Sequence, residues 1–208
     1  MSDAEISPIA FWEDHYQAMS PLTNGIPGKI LVRFTEHLSP GKALELGCGR
    51  GDDAVWLAKK GWQVTALDLS SRALEYARAN ASRAGVDGNI AFTQHDLTQS
   101  FPQGQYDLIV ASFLESPLTF DRFTIFRAAF DRIAPGGMLL ITSHAKPPCW
   151  GKHADRPFLS AKEAFSQLEP VPEGWEIVFC DDVSRVMKGP QGQESDVSDS
   201  VIALRRAV

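Results

Sequence analysis

Two periodicities of apolar residues alternate along the chain. Short apolar runs at Ala43–Leu46, Gln63–Leu69, Asn89–Asp96, Tyr106–Phe113 and Met138–His144 predict five strands, and Trp175–Cys180 and Ser200–Leu204 predict two more. Their β-branched and aromatic content and their flanking Gly, Pro or Asp residues support that reading. Between the runs the apolar positions step by three and four, as on one face of a helix. Ala54, Leu57 and Ala58 form one such face, which Gly61 can end. Leu74, Ala77, Ala81 and Ala84 form a second, with Ser70 or Ser71 as N-cap and Gly85 as stop. Phe123, Phe126, Phe130 and Ile133 form a third, before Pro135-Gly136-Gly137. Helical spacing makes this Phe stripe a buried helix face rather than an aromatic ligand box. Ser160 followed by Glu163 is a capping box that opens a further helix.

Strands alternating with helices predict an α/β fold, a parallel sheet covered by helices on both faces. In such folds ligands bind beyond the carboxyl ends of the strands, so the residues after each strand carry the candidate chemistry. The polar, breaker-rich stretch Gly189–Ser200 reads as a mobile loop.

Composition narrows the function classes. The 208 residues fit a single domain, and 44% hydrophobic with 22% charged residues is ordinary for a folded chain. The net charge is −6, and no segment is strongly basic: 1–40 holds two basic and five acidic side chains, 41–145 ten and eleven, 146–208 eight and ten. A nucleic-acid partner is therefore not expected, because gripping a phosphate backbone concentrates Lys and Arg. No run is long enough for a membrane span, and the acidic start, Met1 to Glu5, is not a secretory signal. Cys48, Cys149 and Cys180 lie far apart, with no CxxC pair or Cys/His cluster, so no metal site is expected and a cytoplasmic location is.

The strongest chemical signal is Glu45-Leu46-Gly47-Cys48-Gly49-Arg50-Gly51, between the first strand and the next helix. Its glycines let backbone approach a ligand closely, and the helix start at Asp52-Asp53 presents free N–H groups. Asp68 ends the second strand, where a carboxylate can accept both hydroxyls of a ribose. Asp96-Leu97 ends the third, where an acid and an apolar side chain can hold an adenine. Either acid alone reads as a turn or cap residue. Both at successive strand ends, after a glycine turn, read as a nucleoside site.

Glu45 to Gly51 resembles the ExGxGxG motif of class I S-adenosylmethionine (SAM) dependent methyltransferases. Asp68, Asp96-Leu97, Tyr106-Asp107 and Pro135-Gly136-Gly137 also fall where that family has them, so the resemblance covers roughly residues 11–145. More loosely, Pro157-Phe158, Gly174-Trp175-Glu176, Asp181-Asp182 and Arg185 resemble small tellurite-resistance methyltransferases, although Ser184-Arg185 stands where those tend to have His-Arg. Phe11 to Tyr16 resembles the entry of thiopurine methyltransferases. The resemblance implies a Rossmann-like class I methyltransferase fold, an α/β fold whose seven-stranded sheet is mostly parallel with helices on both faces, with residues 1–40 a helical lid region, 41–145 the cofactor-binding core and 146–208 the substrate side and last strands. It implies SAM as cofactor and S-adenosylhomocysteine as product. Gly47, Cys48, Gly49 and Gly51 would lie at the methionine portion and Glu45 near its ammonium. Asp68 would hold the ribose, Leu69 and Leu97 the adenine ring, and Asp96 its amino group. Ala111, Ser112 and Phe113 would lie close to the sulfonium.

The acceptor expected from this is a small molecule. His144, ending the fifth strand, is a candidate base, or a loop histidine with local bonds. Glu115 is a candidate for orienting substrate, or a solvated acid, and Arg185 for binding an anionic group, or a surface charge. Trp12 and Tyr16, four apart, form a lid over the site or a helix stapled to the core. Two rival readings are an NAD-type oxidoreductase, which shares a glycine turn followed by an acid, and a SAM-binding module without catalysis.

Overall fold

The computed structural model describes residues 7–150 and 158–208, so the acidic start and Pro157 lie outside the described residues. Strands β1 (Lys42–Leu46), β2 (Gln63–Asp68), β3 (Ile90–Gln94), β4 (Tyr106–Ser112), β5 (Ile133–Lys146), β6 (Trp175–Lys188) and β7 (Glu194–Arg206) form one sheet. Their order is β3-β2-β1-β4-β5-β7-β6, and β7 is antiparallel to both its neighbours. This is the α/β architecture the periodicities predict. Helices α1 (Pro8–Gln17), α2 (Lys29–Thr35), α3 (Asp52–Lys59), α4 (Ser71–Arg83), α5 (Arg122–Ala129) and α6 (Ala161–Ser166) surround it.

The central strands are buried on both faces. On β1, Ala43 joins Leu31, Leu57 and Trp62 on one side, while Leu44 and Leu46 meet Ile109, Phe126 and Ile133 on the other. The Phe stripe is a helix face against the sheet: Phe126 and Phe130 are buried and Phe123 packs beside them. The caps fall where the sequence places them. Ser70 accepts from Ala73 N, and Ser160 with Glu163 closes a capping box on α6.

Three boundaries differ from the sequence reading. First, Ile133 is not helical: α5 stops at Ala129, one 3-10 turn covers Phe130–Arg132, and Ile133 opens β5. Pro135 has no N–H to continue a helix and pushes the residue before it toward extended backbone. Gly137 then allows the strand to pass close to β4, since a Cβ there would stand 3.0 Å from Asp107 O. Second, the stretch Gly189–Ser200 is a loop only to Gln193; Ser195 to Ser200 pair with Met187 to Asp182 in the long β6–β7 hairpin. Antiparallel strands tolerate one wet face, so polar residues there do not mark a loop. Third, α2 belongs to the core, with Leu31 and Phe34 buried, which leaves α1 as the covering helix of the 1–40 region.

Gly51 ties this fold to the site. It caps α3 with φ +81°, and a Cβ there would lie 2.9 Å from Ala77 Cβ on α4. Gly51→Ala is expected to destabilise the protein by about 1–3 kcal/mol through left-handed strain and the helix contact. A urea-denaturation midpoint equal to wild type would show that the contact is slack.

Candidate functional site

The site lies at the carboxyl edge of β1, β2 and β4, where the glycine turn leaves β1. Asp68 holds the turn in shape: its Oδ2 accepts from Gly49 N and its Oδ1 from Ser70 N, both at 2.9 Å. Cys48 N donates to Leu67 O at 2.7 Å. Burial pushes the Asp68 carboxyl up, partly offset by the bonds from Ser70 and Gly49. Beneath the turn, Glu45 is 3% exposed, and its Oε2 has no hydrogen-bond partner among the described residues. Burial raises the Glu45 carboxyl well above the usual carboxylate range, and the charges of Asp53, Asp68 and Asp52 push the same way. An ionised carboxylate in such surroundings is stable only beside a cation or further donors. Asp53 is better served, accepting from Gly28 N at 2.7 Å and Ser112 Oγ at 2.8 Å.

A cleft of about 800 Å³, open mouth included, lies over this turn. Gly47, Asp68, Leu69, Asp96 and Leu97 line it, with Trp12 and Tyr16 from α1 above. Asp96 is also a turn acid, its Oδ1 accepting from Thr98 N and Oγ1. Several residues assigned to the cofactor by sequence stand behind the wall. Ala111 is fully buried in the sheet, the Ser112 hydroxyl is committed to Asp53, and Cys48 is a buried filler. Of Ala111, Ser112 and Phe113, only Phe113 lines the cleft. Glu45, Gly49 and Gly51 shape the turn from below or beside it. The α1 cover packs on the turn, since the Tyr16 hydroxyl sits 3.1 Å from where a Gly49 Cβ would stand. Glu13, which sequence reasoning missed, anchors α1 by accepting from Ser71 N at 2.6 Å and Ser71 Oγ at 2.9 Å at the start of α4.

A second cavity adjoins the first and shares Trp12, Phe113, Glu115, Ser116 and Phe120 with it. Phe113 stands between the two. It is a non-glycine residue at φ 55°, held by its N–H to Thr142 O at 2.8 Å, and its ring lies 4.5 Å from that of His144. Such strain persists only where neighbours impose it, which is common at ligand sites.

Three substrate-side candidates change their reading. Glu115 is not a solvated acid: it accepts from Arg122 Nη1 at 3.0 Å and from His144 N at 2.9 Å, and so braces the end of β5. His144 is a strand residue rather than a loop one, paired in register with Asp199 on β7, with its Nδ1 3.8 Å from Asp199 Oδ1. Arg185 is not free for an anionic substrate, because its Nε and Nη2 grip Asp199 at 2.7 and 3.1 Å. Asp199 is 5% exposed; burial pushes its carboxyl up, but His144 and Arg185 together outweigh this and hold it below the usual range. Sequence reasoning missed Asp199 because it sits in the stretch read as a loop. Among the described residues no group of His, Cys, Asp and Glu suits a metal ion, and no helix is long and apolar enough to cross a membrane.

Residues 43–137 match a family described as methyltransferase domain. The chain is 28% identical over 139 residues to a 27-O-demethylrifamycin SV methyltransferase of Amycolatopsis mediterranei, covering 63% of this chain and 48% of that protein. A ribosomal RNA small subunit methyltransferase C of Alcanivorax borkumensis and a ribosomal protein L11 methyltransferase of Ralstonia pickettii also match, and the chain spans only about a fifth to about half of the length of these three curated relatives. A solved structure described as "Conversion of a Disulfide Bond into a Thioacetal Group during Echinomycin Biosynthesis" superposes with a TM-score of 0.70 at 25% identity, over 96% of this chain and 93% of that one. TehB from Haemophilus influenzae superposes at 0.69 and 22% identity, over 94% and 67%. The seven-stranded sheet is thus the class I methyltransferase fold.

Proposed function

We propose that this chain, whose residues 43–137 match a methyltransferase-domain family, is a SAM-dependent methyltransferase that acts on a small molecule. The observation that carries the cofactor is the orphan carboxylate of Glu45 beneath the glycine turn. A buried acid with Asp52, Asp53 and Asp68 around it attracts the ammonium of SAM and repels a dinucleotide's pyrophosphate. That argues against the NAD-type alternative. When bound, SAM supplies an electrophilic methyl group on a sulfonium. Gly47 admits its methionine portion, Asp68 keeps a second lone pair on each oxygen for ribose hydroxyls, and Leu69, Asp96 and Leu97 receive the adenine. The acidic surroundings and the aromatic ring of Phe113 suit a sulfonium.

The small-molecule acceptor is supported by the second cavity, which opens beside Phe113 and is covered by α1. The relative named for rifamycin methylation supports the same acceptor class. His144, lining that cavity and backed by Asp199, favours an enzyme over a module that only binds SAM. The free thiols of Cys48, Cys149 and Cys180 fit a reducing, cytoplasmic setting.

Calorimetry with SAM and with NADH tests the cofactor. SAM should bind and NADH should not, and the reverse would overturn the reading. Asp68→Asn should weaken SAM by about 1.5–3 kcal/mol, the scale of a hydrogen bond to a charged group. An unchanged dissociation constant would remove Asp68 from the ribose role. Turnover of ribosomal RNA or protein, with none across a panel of phenols, thiols and amines, would overturn the small-molecule acceptor.

A further inference from the structure

The second cavity is walled by Phe11, Trp12, Phe113, Phe120 and Phe158, with His144 among them. The Phe113 ring lies 4.5 Å from the imidazole at 30°, and Phe158 meets it edge-on at 6.3 Å. Five aromatic walls favour a flat apolar guest. Among the described residues that line the cavity the one Lys or Arg is Arg122, and it is paired with Glu115; Arg185, near His144, is paired with Asp199. An anionic acceptor would have to displace a carboxylate from one of them. Asp199, buried and gripped by two guanidinium nitrogens, faces His144 Nδ1 at 3.8 Å. This is longer than a hydrogen bond, as is common before a substrate closes a site. It favours the tautomer with its proton on Nδ1, which leaves the Nε2 lone pair for the cavity. An oriented proton acceptor is superfluous for a soft sulfur nucleophile and useful for a hydroxyl.

We propose that the second cavity takes an uncharged, flat acceptor bearing a phenol-type hydroxyl, and that Asp199, clamped by Arg185, is the positioning residue that keeps His144 as its proton acceptor. The proposal rests on the SAM-dependent reading above. The hydroxyl proton passes to His144 Nε2 as the acceptor oxygen bonds to the methyl carbon. The methyl–sulfur bond breaks with its electron pair left on sulfur, so the products are a methyl ether and S-adenosylhomocysteine. Asp199 stays ionised and faces the imidazolium, which explains why an acid is held beside a histidine at this depth.

The test uses 2-naphthol and naphthalene-2-sulfonate, bodies of equal shape and different charge, followed by tryptophan fluorescence with and without S-adenosylhomocysteine. Naphthol should bind at least about tenfold tighter than the sulfonate, since the sulfonate loses hydration while the guanidinium lining the cavity, Arg122, is already paired with Glu115. Phe158→Ala should weaken it. Equal or tighter sulfonate binding would overturn the acceptor class. In nitrogen NMR of histidine-labelled protein, His144 should carry its proton on Nδ1, and Asp199→Asn should abolish that preference. The same variant should lower naphthol methylation at least about tenfold, within the usual reach of general-base catalysis, with S-adenosylhomocysteine affinity unchanged. A tautomer and rate that survive Asp199→Asn would return Asp199 to a merely structural role. Should that variant unfold, Arg185→Lys, which keeps the charge but loses the two-pronged grip, should shift the same signal, and an unshifted signal would count against the proposal. Because binding and tautomer are read without cofactor too, failure of the SAM reading and failure of this one are distinguishable.

Discussion

Replacing Glu45 by glutamine is expected to weaken SAM by more than about tenfold and, at the same time, to stabilise the ligand-free protein at neutral pH. Both effects come from one buried oxygen without a donor. In the ligand-free state the ionised carboxylate faces burial and three neighbouring acids, so the folded protein holds the Glu45 proton more tightly than the unfolded chain does. Its contribution to stability is therefore fully present below the unfolded value. It is lost as pH rises through the raised folded value. Glutamine removes the charge and that loss. The ammonium of the ligand reverses the preference, because it stabilises the ionised form. Affinity should then rise with pH in wild type, with a proton released on binding, and be flat in Glu45→Gln. Thermal melts and calorimetry at several pH values measure both. A variant that loses stability at neutral pH, or that binds SAM as wild type does, would sink this account of the acid. The expected trade of stability for binding is typical of functional sites.

The second large effect is expected at His144. His144→Gln should lower kcat by about 100-fold, equivalent to about 2.7 kcal/mol, while leaving SAM affinity intact. The imidazole lies in the second cavity and outside the first, so its loss should be felt in the chemical step and not in cofactor binding. Glutamine fills similar space and can turn an amide N–H toward Asp199, so the fold should survive. Equal kcat across an acceptor panel would leave His144 as a wall residue. A parallel loss of SAM affinity would point to a disturbed Phe113, whose ring stacks on it.

The proposed cofactor side of the site could be located in the sequence because it is made by local rules. A glycine turn after a buried strand, and an acid at each following strand end, are properties of short segments. Strand polarity puts those ends on one edge. The structure accordingly brings Gly47, Asp68, Leu69, Asp96 and Leu97 to one cleft. What sequence overreached on was side-chain direction. Ala111 and Ser112 are the last residues of β4 and are held in the sheet, and only Phe113, which follows the strand and is turned by its positive φ, reaches the cavities.

The substrate half depends on pairings between distant residues, and these no local pattern encodes. Arg185 and Asp199 are fourteen positions apart in a hairpin whose length the polar sequence disguised. Glu115 meets His144 only because β4 and β5 run side by side. From the sequence alone came the alternation of elements, the parallel sheet, the edge that carries the chemistry and a nucleoside-type site, since hydrophobic period and turn chemistry act within a few residues; SAM itself came from the resemblance to a known family. Only the tertiary structure decided which charges are already neutralised and which is left alone. Whether a buried charge is satisfied depends on partners that folding brings from elsewhere in the chain: Arg185 lost its freedom to Asp199, and Glu45 was left with an oxygen that no described residue serves.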